Sequence, residues 1–311
     1  MKIAFSLVKT GLGNNGGSRT VLKCAEALEN IGHRVYLIGA VDRFTWFTHK
    51  RLQRALPRDV DAYVATGSQS LSSVLVSHAP IKAWYIRGHE VWIMSEKDLA
   101  RLYNKPQINI VNSKGLQKKL ARLGVKSHVV YQGINLNDWR DLHLRGKTIR
   151  IGCLYNPRPT KKWNTFSAIA QRLGNRYEYV AFGSTRCKAS FLTEYRTNPS
   201  HAELVRLYSS CHIWFAPTIL EGLHNVPQEA ALCGCHIICS NNEMNGMVCD
   251  YAIHGKTAQV YANTDEAINL IRNPDFSLVP KMQAYIKKHI GSREENMRRF
   301  VSILSRTDNR Q

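Results

Sequence analysis

The chain has 311 residues, 44% hydrophobic and 21% charged, a globular balance that excludes a disordered, collagen-like or low-complexity chain and suits two domains. No fixed-period repeat is present, and no apolar run approaches the ~20 residues of a membrane-spanning helix. The formal charge is +20, and residues 1–145 carry +12 of it, from 22 basic and 10 acidic residues; such a surplus favours nucleic acid, an acidic membrane surface or a phosphorylated substrate.

In chain order, Ile3–Val8 is a short apolar run with no cleavage site behind it, which predicts a first strand rather than a signal peptide. After a glycine-rich turn, Val21, Leu22, Ala25 and Leu28 recur at helical spacing, and Gly32 ends that helix. Arg34–Ile38, Asp61–Thr66, Lys82–Ile86, Ile108–Asn112 and Ser127–Tyr131 read as further strands. Ser113 caps a helix with Leu116, Leu120 and Leu123 on one face. The polar segment Asn135–Lys147 has no apolar period and reads as a linker.

The rhythm then restarts. Ile149–Leu154 is a strand, and Trp163, Phe166, Ile169, Ala170 and Leu173 form a helix face. Strand Tyr177–Phe182, helix 201–209, strand Ile213–Ala216, a helix around 226–233 and strand His236–Ser240 follow. Ser292 and Glu295 form a capping box before Met297, Phe300, Val301 and Leu304. The expected fold is therefore α/β: two tandem Rossmann-like doubly wound domains, 1–140 and 147–290. Helix 291–311 is expected to pack back on the first domain. Ligand belongs at the carboxyl ends of the strands.

Seven of the eight cysteines lie from Cys153 onward, and reduced thiols in a cytoplasmic protein are the expectation. Cys233-x-Cys235-His236-x-x-Cys239 lacks a second paired knuckle and reads as packing, so no metal is assigned. Gly11-x-Gly13-x-x-Gly16 fits a dinucleotide fingerprint with Asp42 as ribose acceptor, which keeps a nicotinamide oxidoreductase as an alternative. Gly17 stands where a P-loop needs lysine. On every reading, Gly16 and Gly17 open a helix whose first amides favour an anion or sugar.

The informative segment is Glu221-Gly222-Leu223-His224-Asn225-Val226-Pro227-Gln228-Glu229. Two carboxylates flank a loop and the start of a helix, with Asn225 expected as its cap and Pro227 in its first turn. Carboxylates so placed accept hydroxyl hydrogen bonds from a ribose and a sugar, while the amides between them meet a diphosphate.

Residues Ala202–Ser240 resemble the E-x7-E region of retaining glycosyltransferases of the GT-B fold, family 4. Ile110–Leu120 with Val130–Trp139, Gly152–Trp163 and the Gly16-Gly17 pair resemble further landmarks of that family. The resemblance spans about residues 1–260. It implies a sugar-transferring enzyme whose substrate is a nucleoside diphosphate sugar, UDP favoured over GDP, with no cofactor or metal. Glu229 would hold the ribose and Glu221 the transferred sugar, with Gly222, Leu223, His224 and Asn225 lining the donor. Arg158 and Lys162 would stabilise the departing diphosphate. Arg158 and Lys161 both compete for the place of the family arginine. His89 in Tyr85-Ile-Arg-Gly-His-Glu-Val-Trp would meet the donor sugar, with Arg87 or Glu90 beside it.

The acceptor surface is sought in the basic, aromatic stretch Arg43–Arg58, with Arg43, Trp46, Lys50, Arg51 and Arg54, and in a second face with Lys118 and Lys119. Cations interleaved with aromatics suit an interfacial helix on anionic lipid, at the inner face of a membrane, or a nucleic-acid groove. The expected acceptor is a membrane or surface glycan first and a hydroxylated DNA base second. A non-catalytic nucleic-acid-binding protein is the alternative outside enzymes.

Overall fold

The computed structural model describes residues 1–50, 52–242 and 246–306. The chain divides into two compact units, residues 1–134 with 291–311, and residues 135–290.

The first unit runs β1 (Lys2–Ser6), β2 (Leu12–Gly13), α1 (Gly16–Asn30), β3 (Arg34–Ile38), β4 (Asp42–Arg43), β5 (Ala62–Ala65), α2 (Ser68–Leu75), β6 (Ile81–Ile86), α3 (Glu96–Tyr103), β7 (Ile108–Val111), α4 (Lys114–Arg122) and β8 (His128–Val129). Its main sheet is six-stranded and parallel, in the order β3-β1-β5-β6-β7-β8. All four residues of β5 and of β7 are buried, as expected of parallel strands covered on both faces.

The second unit runs β9 (Arg150–Leu154), α5 (Trp163–Leu173), β10 (Glu178–Gly183), β11 (Glu194–Thr197), α6 (His201–Ser210), β12 (Ile213–Ala216), α7 (Asn225–Leu232), β13 (His236–Ser240), α8 (Gly246–Asp250), β14 (Gln259–Tyr261), α9 (Thr264–Arg272) and α10 (Leu278–Tyr285). Its parallel sheet has the order β11-β10-β9-β12-β13-β14. Both orders reverse direction beside the unit's first strand, at β1/β5 and at β9/β12. Those switch points part the loops at the carboxyl ends and open a crevice for ligand.

The last helix, α11 (Arg293–Ser305), belongs to the first unit. Its N-terminus is a capping box: Glu295 N donates to Ser292 Oγ at 3.2 Å, and Ser292 N donates to Glu295 Oε2 at 2.8 Å. Met297, Phe300 and Leu304 are fully buried. The Phe300 ring lies 6.1 Å from that of Phe5 and 5.5 Å from that of Tyr85. Removing such a ring costs about 3–5 kcal/mol, so this helix is an integral wall of the unit's core.

Three local expectations are corrected. Segment 135–147 is polar in sequence but packs in the second unit. Trp139 is 2% exposed against Tyr208, and Arg145 reaches Asp141 at 2.9 Å and the Ser209 carbonyl at 3.2 Å. Residues 43–58 hold no helix among those described: β4 pairs with β2, Gln53 forms an isolated parallel bridge with Ile38, and the rest is irregular. Phe44 is buried there, with the rings of Trp46 and Phe47 at 6.0 and 4.8 Å, so these aromatics serve the core. Third, α7 is not capped by Asn225. His224 occupies the cap position in a left-handed conformation, and Asn225 is the first helical residue.

Candidate functional site

In the second unit, two loops meet at the β9/β12 switch point. The loop after β9 carries Arg158, Lys161 and Lys162; the loop after β12 carries Thr218 and Glu221 and leads into α7. Thr160 joins them, its carbonyl accepting from Ile219 N at 2.9 Å and from Thr218 Oγ1 at 3.2 Å. Lys161 donates to Glu221, and Thr218 Oγ1 donates to the same oxygen at 3.4 Å. His224 Nε2 lies 3.8 Å from it.

These groups share one electrostatic environment. Burial by itself raises the Glu221 carboxyl, but His224, Lys161 and the hydrogen bonds of Lys161 and Thr218 outweigh it and hold the pKa below the usual value. Burial, reinforced by Lys161 and opposed by Glu221, lowers His224 to about 4. Near neutral pH the cluster therefore holds an ionised Glu221 beside a neutral His224 imidazole. Neither His224 ring nitrogen, nor Asn225 Oδ1, has a hydrogen-bond partner among the described residues. Buried polar groups in that condition are an opening for ligand hydroxyls or phosphate oxygens.

Backbone conformation sharpens the loop. His224 has φ 33° and Lys162 φ 52°, positions that a non-glycine residue occupies at a cost. The His224 carbonyl is held by Tyr251 Oη at 2.6 Å. Gly246 backs the loop: a Cβ there would stand 1.7 Å from the Gly222 carbonyl oxygen, so no side chain fits. Gly222 and Leu223 are buried. Glu229 sits on α7 at 3% exposure and accepts from Tyr208 Oη at 3.3 Å. Arg158 is exposed, while Lys162 is half-buried and precedes α5. Thr160, Thr218, Tyr208 and Tyr251 went unnoticed in the sequence. Only Thr218 had a signal, as the hydroxyl residue after Pro217 ahead of Glu221-Gly222.

In the first unit, Gly16 and Gly17 begin α1, and Asn15 caps it by accepting from Ser18 N at 2.9 Å. Arg87 bridges the β1/β5 switch point, donating to the Gly17 carbonyl and, at 2.5 Å, to that of Thr66. Glu90 accepts from Ser68 N at 2.8 Å at the start of α2. His89 is 2% exposed, with Tyr103 Oη 3.1 Å from Nδ1 and Glu96 3.2 Å from Nε2. Burial, helped by Lys119, lowers its pKa against the pull of Glu96.

The dinucleotide fingerprint takes another form. Leu12-Gly13 pairs with Asp42-Arg43, and the Asp42 carboxylate is occupied by His49 Nε2 and Phe44 N, each at 3.1 Å. Burial pushes Cys233 and Cys239 up to about 12, so these thiols pack as neutral groups.

The basic residues of the expected acceptor surface stand in different settings. Lys50 pairs with Glu29, and Lys119 meets Glu96 at 2.5 Å. Arg43 and Arg54 are exposed, and Arg51 lies outside the described residues. Lys118, Lys126 and Arg306 line a groove of about 980 Å³ beside His128, with no carboxylate among its lining residues. No helix among the described residues is long and apolar enough to cross a membrane.

The sequence matches no protein-family model and no curated protein. The structure does match solved ones. Sucrose-phosphate synthase from Thermosynechococcus elongatus superposes with a TM-score of 0.79 at 13% identity, covering 100% of both chains. Anabaena HepE in complex with UDP-glucose gives 0.76 at 14% identity, over 98% of this chain and 100% of that one. A glycosyltransferase from Rickettsia africae gives 0.74 at 12% identity, over 100% and 99%. Likeness at this level of identity is a likeness of fold, and the fold of this chain is the α/β GT-B fold of those glycosyltransferases.

Proposed function

We propose that the protein is a retaining glycosyltransferase that moves a sugar from a nucleoside diphosphate sugar, UDP ahead of GDP, to a hydroxyl acceptor. The observation that carries this reading is the Lys161–Glu221–His224 cluster beside the α7 N-terminus at a switch point of a parallel sheet. HepE, a protein of the same fold, was solved with UDP-glucose.

In this reading Glu229 accepts the ribose hydroxyls and Glu221 the hydroxyls of the transferred sugar. As the glycosidic bond lengthens, charge builds on the diphosphate. Arg158, Lys162 and the first amides of α7 offset it without a metal ion. Lys161, bonded to Glu221, turns between carboxylate and phosphate when donor arrives. His224, neutral, donates or accepts one hydrogen bond to the donor. The acceptor hydroxyl attacks from the face the diphosphate leaves, which retains the anomeric configuration. The preferred acceptor is a membrane- or surface-associated glycan. Hydroxylated DNA is the second reading, favoured by the groove that Lys118, Lys126 and Arg306 line with no carboxylate among its lining residues.

Thermal-shift titration with UDP, GDP and NAD tests the donor. UDP is expected to stabilise the wild type, Glu229→Ala to lose that shift, and Glu221→Ala to keep it while losing most turnover. Donor hydrolysis should survive EDTA, and the product anomer read by NMR should match the donor. Normal turnover in both variants would overturn the assignment.

A further inference from the structure

Three adjacent large apolar residues stand in solvent at one turn of the first unit. Val91, Trp92 and Ile93 are 42%, 55% and 40% exposed. The other comparably exposed large apolar residues among those described, Val41, Val76, Leu144 and Phe276, are scattered along the chain. A single exposed apolar side chain is ordinary; a contiguous set marks a binding surface.

The turn is built to hold that exposure. Val91 N donates to the His89 carbonyl and Ile93 N to the Glu90 carbonyl, each at 2.9 Å. Glu90 is itself fixed by Ser68 N. Trp92 leans on Gly88, where a Cβ would sit 3.2 Å from the ring, so the missing side chain lets the indole lie against backbone. A ring supported in this way loses little entropy when a partner covers it.

The surroundings select the partner. The turn follows the carboxyl end of β6, where Arg87 also spans the switch point. Between residues 87 and 101 the charges balance: Arg87, Lys97 and Arg101 against Glu90, Glu96 and Asp98. Phosphodiester polymers and anionic bilayers bind through clustered cations; Lys118, Lys126 and Arg306 line a groove with no carboxylate among its lining residues, whereas this segment has no such excess. An exposed aromatic ring flanked by apolar side chains, on a segment with no excess of either charge, suits a ring with an apolar face and an uncharged, hydroxylated rim.

We propose that Trp92 is the stacking platform of an acceptor subsite for an uncharged pyranose ring. This rests on the glycosyl-transfer reading and names its acceptor class as a neutral glycan. The C–H face of the sugar lies on the indole, Val91 and Ile93 exclude water around it, and its hydroxyls turn toward Arg87 and Glu90.

The test uses the full chain on an array of neutral hexopyranose-terminated oligosaccharides, with duplex DNA as a separate arm and UDP present throughout. Wild type, Trp92→Ala and Trp92→Phe are compared, and the UDP thermal shift is recorded for each. Neutral glycans should be retained by the wild type and weakened at least about tenfold in Trp92→Ala. Trp92→Phe should stay within about threefold, because a flat ring remains. DNA binding and the UDP shift should be indifferent to Trp92. The proposal is overturned if no neutral glycan is retained, if Trp92→Ala retains it equally, or if only DNA binding responds. Absence of a UDP shift in the wild type would instead sink the donor reading, and glycan binding would still decide the platform.

Discussion

His224 offers the sharpest physical test of the donor loop. Its imidazole is buried, and its pKa is lowered to about 4 from an ordinary 6.5. The unfolded chain therefore binds a proton that the folded chain refuses. The sign follows from linkage: a base with a depressed folded pKa leaves stability intact above 6.5 and removes it as pH falls toward 4. At pH 5 the unfolded imidazole is largely protonated and the folded one largely neutral, a penalty of about 2 kcal/mol. His224→Asn abolishes the titration and suits the left-handed backbone, where asparagine is tolerated. The assay is hydrogen exchange of peptides spanning α7, which reports the second unit separately. Wild type and variant are compared at the same pH, so intrinsic exchange rates cancel. Going from pH 7.5 to pH 5, wild-type protection should fall about 30-fold more than that of His224→Asn. Equal falls in the two proteins would refute the buried neutral imidazole.

Two further outcomes follow from the same structure. Lys161→Met leaves the Glu221 carboxylate buried without its ammonium and should cost about 2–3 kcal/mol at pH 7. In the wild type the lowered Glu221 pKa adds stability that is lost as pH falls through it; without Lys161, two of the causes that lower it are gone and that pH-dependent contribution shrinks. Denaturant unfolding at pH 4 and 7 reads the smaller difference, and adding Glu221→Gln should restore most of the loss. Removing Lys118, Lys126 and Arg306 together should flatten the log–log salt dependence of duplex DNA binding by about 2.7. Lys50→Ala, which only breaks a pair with Glu29, should leave that slope unchanged in the same filter-binding series.

Much of this protein was legible as sequence because its elements are short and locally specified. Arg34–Ile38, Ile213–Ala216 and His236–Ser240 are bounded as read, since continuous apolar runs between turn residues have few other solutions. The Ser113 and Ser292 caps were legible because a cap needs only its own next three residues. Two α/β domains and the Glu221–Glu229 segment follow from the same local rules and from motif spacing. The tertiary structure decided what depends on distant partners. It turned Trp139, in a polar stretch, into core by offering Tyr208, and it drew Phe44 and its neighbours inward although cations surround them. It paired Lys50 and Lys119 while leaving Lys118, Lys126 and Arg306 in a groove free of carboxylates. It brought Lys161 onto Glu221, 60 residues away, and strained His224 into a left-handed cap where sequence pointed to Asn225. Local propensity is set by neighbours a few residues off. Charge pairing, burial and pKa depend on which loops a sheet's strand order places side by side, and no spacing along the chain encodes that.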